Sequence, residues 1–310
     1  MHTALSARQG RLLRQACWCF PFLVALPVIA QLSSPPPSSP ALAAPAAPFA
    51  EAATDALGYS AQARSFAVCR QAGVRVIDFP EEHSFAALWV PPKYASGRVM
   101  VLLHGTGGTA YDEIKDELES ARKHGYMLIA LQWLNKETQR YMDAPVVWRL
   151  ADRALHFAGT QHHADPAKAA LCGFSRGGAV SYETAWRDAQ EHRHFKLVIC
   201  HSGGVPPNAV TAPGEGWRPN TFFSRLNAGT LGAESYHGLN FFLYSGDRDE
   251  QWGTQMSEQM ANAQKVLPLA GAKVAAWVRD PRGVHMGYRK TASIHEQAIQ
   301  LFLRLTAEGK

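Results

Sequence analysis

Leu171-Cys172-Gly173-Phe174-Ser175-Arg176-Gly177-Gly178 is the stretch whose reading decides the fold. It holds a Gly-x-Ser-x-Gly pattern. The apolar run Ala169 to Cys172 precedes it, and a helix-compatible run from Ala179 to Ala189 follows. The order is strand, sharp turn, helix. A serine at the apex of such a turn sits in strained backbone geometry, with its hydroxyl pushed clear of the sheet. Gly173 and Gly177 flank the turn because a Cβ at either place is expected to collide with the neighbouring strand or helix. A helix starting just beyond Ser175 turns its amides and positive dipole end toward charge developing nearby.

Outward from this stretch the chain alternates strand and helix. Gly73 to Phe79 and Phe85 to Val90 read as an antiparallel pair of early strands. Buried strands are expected at Arg98 to His104, Tyr126 to Trp133, Phe195 to His201, Asn240 to Ser245 and Lys273 to Arg279. Helices are expected at Tyr111 to Lys123, Val146 to Phe157, Gly253 to Leu267 and Thr291 to Leu305. Repeated strand-helix units predict an α/β fold, with a mostly parallel central sheet and helices on both faces. In such sheets chemistry collects at the carboxyl ends of the strands.

Three other strand ends carry useful groups. The strand at Arg98 to His104 runs into His104-Gly105-Thr106-Gly107-Gly108. Main-chain amides of Thr106 or Gly107, with that of Arg176, are expected to form an oxyanion hole beside Ser175. His104 reads as structural. No Gly-Lys-Ser/Thr follows the glycines, so this is not a P-loop. The strand ending at Ser245 continues Gly246-Asp247-Arg248-Asp249, which offers two carboxylates to hold an imidazole in one tautomer. The other of the two is expected to cap the local turn. His285 lies in the Pro/Gly-marked loop Asp280 to Gly287, before the last helix.

These segments together resemble the α/β-hydrolases over roughly Val74 to Leu305, most closely secreted bacterial esterases of the polyhydroxybutyrate-depolymerase and feruloyl-esterase kind. The resemblance implies a serine hydrolase acting on carboxylic esters, small or polymeric. Ser175 would be the nucleophile, His285 the general base and Asp249 the acid. Asp249 matches the family's Gly-x-x-Asp, and chain reach past Gly246 favours it too. Such a reaction needs neither metal nor cofactor. Glu250-Gln251-Trp252 departs from the family, whose members often have a small aliphatic residue and then proline there. An amide-bond hydrolase would use the same triad. A non-catalytic protein on this scaffold would be expected to have lost one of the three residues.

Composition agrees with a large α/β core: 310 residues, 46% hydrophobic and 18% charged. Arg8, Arg11 and Arg14 account for three of the +5 net charges, and no Lys/Arg stripe supports a nucleic-acid partner. Residues 1–30 read as a signal peptide: these arginines, the apolar run Ala16 to Ala30, and cleavage after Ala30. That implies a secreted or periplasmic protein without membrane insertion after cleavage; the rival is an uncleaved anchor. The apolar run is short for a span and carries Pro21 and Pro27. Residues 31–55 read as a disordered Ser/Pro/Ala-rich spacer and 56–310 as the hydrolase domain. Within it, 203–239 reads as a cap whose Trp217, Phe222, Phe223 and Tyr236 would line an acyl site. Of the cysteines beyond the signal, Cys172 and Cys200 read as buried thiols, with a bridge from Cys69 left open. His162, His163, His192 and His194 show no metal-binding spacing, and the last two read as a solvated helix end. Oligomeric state is left open.

Overall fold

A computed structural model describes residues 47–48, 63–135, 138–207 and 221–307. The expected signal (1–30) lies outside them. So does the expected spacer, apart from a two-residue strand, β1 (Ala47–Pro48). Eight further strands follow: β2 (Arg75–Phe79), β3 (Ser84–Trp89), β4 (Val99–Leu103), β5 (Met127–Gln132), β6 (Ala169–Phe174), β7 (Phe195–His201), β8 (Asn240–Gly246) and β9 (Lys273–Asp280). They form one sheet in the order β1-β2-β3-β5-β4-β6-β7-β8-β9. Pairing is antiparallel from β1 through β3 to β5 and parallel from β5 to β9.

Central strands are buried on both faces, and their sequences show it. Val-Met-Val-Leu-Leu in β4 and Met-Leu-Ile-Ala-Leu-Gln in β5 are buried at every position. Such continuous apolar runs belong to strands covered by helices on both sides. One face is covered by α3 (Ala144–His162), α4 (Arg176–Glu191), α5 (Thr221–Asn227) and α6 (Thr254–Val266). The other is covered by α1 (Ala63–Gln71), α2 (Ala110–His124) and α8 (Ala292–Ala307), with the short α7 (Gly287–Lys290) before α8. The start of α2 is fixed by a capping box between Thr109 and Asp112, and its end by Gly125 in the left-handed region. No described helix is long and apolar enough to cross a membrane.

The strand order reverses between β5, β4 and β6, so the loop after β4 and the turn after β6 emerge side by side. That crevice is where open α/β sheets place their ligands.

Some expectations need correction. Phe222, Phe223 and Tyr236 are core residues, not lining of an acyl site: each is at most 5% exposed. The Phe223 ring packs edge-on to Tyr182 of α4, and the Tyr236 hydroxyl donates to the Tyr182 carbonyl. Tyr236 also sits just before β8 begins, at the amino edge of the sheet, away from the strand ends that carry Ser175 and Asp249. Trp217 lies outside the described residues. Cys69, Cys172 and Cys200 are all free and buried. Burial pushes the Cys69 thiol up to about 12, and the thiol donates to the Tyr111 carbonyl.

Candidate active site

Ser175 stands between β6 and α4 with φ 52° and ψ −115°, a conformation a non-glycine residue holds only under constraint. The constraint is visible on both sides. Its amide donates to the His201 carbonyl at 2.9 Å, and its carbonyl accepts from Ala179 at 3.0 Å. A Cβ on Gly173 would run into Gly177 and Ser181, and one on Gly177 into the Leu103 carbonyl of β4. The two flanking glycines therefore let strand, turn and helix approach one another closely.

His285 reaches Ser175 from the loop between β9 and α7. Its Nε2 lies 2.9 Å from Ser175 Oγ, and its Nδ1 lies 2.6 Å from Asp249 Oδ2. The carboxylate accepts from Nδ1–H, which leaves Nε2 bare to accept the serine proton. The side chains of His285 and Asp249 are 1% and 0% exposed, so water competes little for these bonds. Asp249 is fixed in turn: its Oδ1 accepts the amides of Gln251 and Trp252, both at 2.9 Å.

Asp247, the rival carboxylate, is elsewhere. It accepts from Arg279 Nε at 2.7 Å and from Ser257 Oγ at 2.7 Å, and the Arg279 bond foremost holds it below the usual carboxylate range. The turn-capping expected of Asp247 is done by Asp249 itself.

The Gly-rich loop after β4 lies against the serine turn. A Cβ on Gly105 would stand 2.9 Å from Phe174 Cδ1 and 3.1 Å from Ser175 Cβ. Thr106 Oγ1 accepts from Arg176 Nε at 3.0 Å, and the Arg176 guanidinium lies 4.4 Å over the Tyr141 ring. Thr106, Gly107 and Arg176 are thus brought together as expected from sequence. In this conformation the Gly107 amide donates to the Tyr141 hydroxyl at 2.8 Å. His104 is wholly buried, donates from Nδ1 to the Gly105 carbonyl, and is pushed down to about 4 by burial. It is neutral and structural.

Other contacts were not visible in the sequence. Glu250 Oε2 accepts the His285 amide at 2.9 Å, and that bond foremost holds the Glu250 carboxyl below its ordinary range. Ser202 Oγ donates to the His285 carbonyl at 2.5 Å, and the Ser202 amide donates to Tyr244 of β8 at 3.1 Å. The Phe174 ring lies 5.2 Å from the His285 ring. The one sequence signal for Glu250 was its place next to Asp249. The described residues able to hold a metal lie outside this site, on α3 and the α4–β7 turn.

No family model matches the chain, and no curated protein matches it by sequence. Its likeness is to solved structures. An arylesterase superposes with a TM-score of 0.57 at 13% identity, covering 76% of this chain and 83% of that one. A truncated carbohydrate esterase from gut microbiota gives a TM-score of 0.55 at 16% identity, over 74% and 93%. Est1E from Butyrivibrio proteoclasticus gives 0.52 at 16% identity, over 76% and 99%. At these identities the likeness is one of fold: the chain has the α/β-hydrolase fold.

Proposed function

We propose that the chain is a serine hydrolase that cleaves carboxylic esters through an acyl-enzyme on Ser175. The observation that carries this reading is the relay of 2.9 Å from Ser175 Oγ to His285 Nε2 and 2.6 Å from His285 Nδ1 to Asp249. In the first step Ser175 Oγ attacks the ester carbonyl as His285 takes its proton. Asp249 holds the ring and stabilises the imidazolium. The carbonyl oxygen becomes an oxyanion beside the amides of Arg176 and the Thr106 loop, where one donor is worth about 3 kcal/mol. His285 returns the proton to the leaving alcohol. It then activates a water that attacks the acyl carbonyl, and Ser175 regains its proton as the acid leaves. The fold likeness to an arylesterase and a carbohydrate esterase supports the ester class.

The test is active-site labelling followed by substrate profiling. A fluorophosphonate probe is expected to modify Ser175 in the wild type and nothing in Ser175→Ala; modification of another serine refutes the assignment. A panel of p-nitrophenyl, feruloyl and polyester substrates, with matched anilides, then sets the acyl class. Turnover of anilides without esters would replace the ester reading by an amidase. Export after cleavage at Ala30 belongs to the same proposal, on the strength of the basic and apolar pattern of residues 1–30. Amino-terminal sequencing of the protein from its native host is expected to start at Gln31.

A further inference from the structure

Away from Ser175, one face of α3 presents Trp148, Asp152 and His156 at successive turns. Opposite lies the turn from α4 into β7, His192-Arg193-His194. Arg193 there has φ 58°, and the two histidine rings stack 5.1 Å apart with 15° between their planes. Trp148 stacks on the outer face of His192 at 5.8 Å and 11°. Three imidazoles converge on one carboxylate oxygen. Asp152 Oδ1 lies 2.9 Å from His194 Nε2, 3.3 Å from His156 Nδ1 and 3.7 Å from His192 Nε2. The ligand atoms of Asp152, His156 and His194 all lie within 4.8 Å of one another.

Of the three contacts only that of His194 has the length of a good hydrogen bond. A small cation satisfies all the groups at once. Zinc with nitrogen and oxygen ligands at about 2.0–2.1 Å in a tetrahedron places those ligands about 3.3 Å apart. The Asp152–His194 and Asp152–His156 separations lie at or just below that value, and the three ligand atoms already lie within 4.8 Å of one another. His156 Nδ1 would give up its 3.1 Å hydrogen bond to the Asp152 carbonyl on binding. Two neutral imidazoles and one carboxylate form a borderline-soft donor set, suited to zinc rather than calcium or magnesium. Burial grades across the site: the side chains of His194 and Asp152 are 11% and 17% exposed and form the floor, while His192 and His156 at 42% and 58% form the mouth.

We propose that Asp152, His156 and His194 form a zinc site, with His192 at its mouth, that pins α3 to the turn entering β7. His194 precedes β7 at the amino edge of the sheet, whereas Ser175 follows β6 at the carboxyl edge. The length of a seven-residue strand, about 20 Å, separates them. Zinc here acts on stability, and the ester chemistry proceeds without it. Spacing hid the site because its ligands come from two separate segments, with Asp152 and His194 42 residues apart.

The test uses the untagged full chain, stripped with chelator and titrated with zinc chloride, with metal content measured after equilibrium dialysis. One zinc per chain is expected, at a micromolar or tighter dissociation constant. At a hundredfold excess over that constant, Tm is expected to rise by about 5 °C or more. Cobalt(II) is expected to give the visible absorption of a four-coordinate site. Asp152→Ala and His194→Ala are expected to weaken binding at least a hundredfold. His156→Ala, at an exposed position that leaves the fold intact, is expected to weaken it at least tenfold. Ser175→Ala is expected to bind zinc as the wild type does. Failure of the wild type to bind one equivalent, or unchanged affinity in His156→Ala, overturns the proposal and leaves a hydrogen-bonded histidine cluster. Fluorophosphonate labelling of Ser175 runs in parallel, so failure of the zinc site and failure of the hydrolase reading give separate results.

Discussion

Replacing Asp249 by asparagine exchanges one carboxylate oxygen for an NH2 group, and the surroundings of Asp249 decide which one. Oδ1 accepts two backbone amides, from Gln251 and Trp252, while Oδ2 accepts only from His285. An asparagine that turned its NH2 toward the two amides would leave both without an acceptor, at a cost on the order of 2–6 kcal/mol. The amide oxygen therefore stays with the backbone, and the NH2 faces His285 Nδ1. That nitrogen must then accept, so the ring proton moves to Nε2 and points at Ser175. The base is lost while the shape is kept. At the lower bound of the flipping cost, about 3% of molecules keep the working tautomer and turnover falls about 30-fold. With the ring fully trapped, the loss approaches the roughly 10⁴-fold seen for this substitution in a protease triad, or about 5.4 kcal/mol of barrier. We expect kcat on p-nitrophenyl acetate to fall between these limits, with Tm within a few degrees of wild type. Asp247→Asn, which touches Arg279 and Ser257 instead, is expected to stay within about threefold. A folded Asp249→Asn enzyme with near-wild-type turnover, or a loss that follows Asp247, refutes the reasoning.

Two other consequences follow from groups remote from Ser175. Cys69, Cys172 and Cys200 are expected to resist iodoacetamide in the native protein and to react fully in guanidinium; a disulfide-linked peptide containing Cys69 would contradict their free, buried state. The buried pair His295–Glu117, 3.0 Å apart, is expected to make stability pH-dependent. Burial, the largest single influence, lowers the His295 pKa and raises that of Glu117, but their hydrogen bond and charge attraction, with Tyr126 and Arg289 adding at Glu117, together outweigh it, so His295 ends raised and Glu117 lowered. The stabilisation from His295 is full below its unfolded pKa of about 6.5 and is lost as pH climbs through the raised value. The stabilisation from Glu117 is lost as acid protonates it below about 4.5. The Tm advantage of wild type over His295→Gln should therefore shrink as pH rises from about 6.5 through the raised His295 pKa. A constant difference would remove the pair from this role.

Much of the frame was legible because apolar runs in covered strands leave little ambiguity. The limits of β7, Phe195–His201, agree at both ends with the expectation. The helix expected just beyond Ser175 begins at Arg176, and Gly177 and Gly178 sit in its first turn for close approach. The charged helix α1 and the aromatic α5 escaped notice. The aromatic residues Phe222, Phe223 and Tyr236 were misplaced because a loop rich in Pro and Gly gives no sign of which side chains fold back into the core. Ser175 and His285 were readable from order along the chain. Asp249 and Asp247 were not separable by periodicity; the two amides donated to Asp249 separate them. Ser202 was beyond reach for another reason: its partner His285 is 83 residues away, and no local pattern encodes such a pairing.

The end of β7 has a wider bearing. His201 holds the Ser175 amide through its carbonyl, and the next residue, Ser202, holds the His285 loop. Ser175 and His285 are thus both referenced to one pair of adjacent peptide units and share a common mechanical datum. Errors in the position of that datum move both groups together and cancel, so the gap between them tolerates breathing of the sheet. Breaking only the Ser202 branch lets the gap drift while the β7 hydrogen bond to the Ser175 amide stays in place. Heating that frays the strand tip should silence the enzyme before its helices melt.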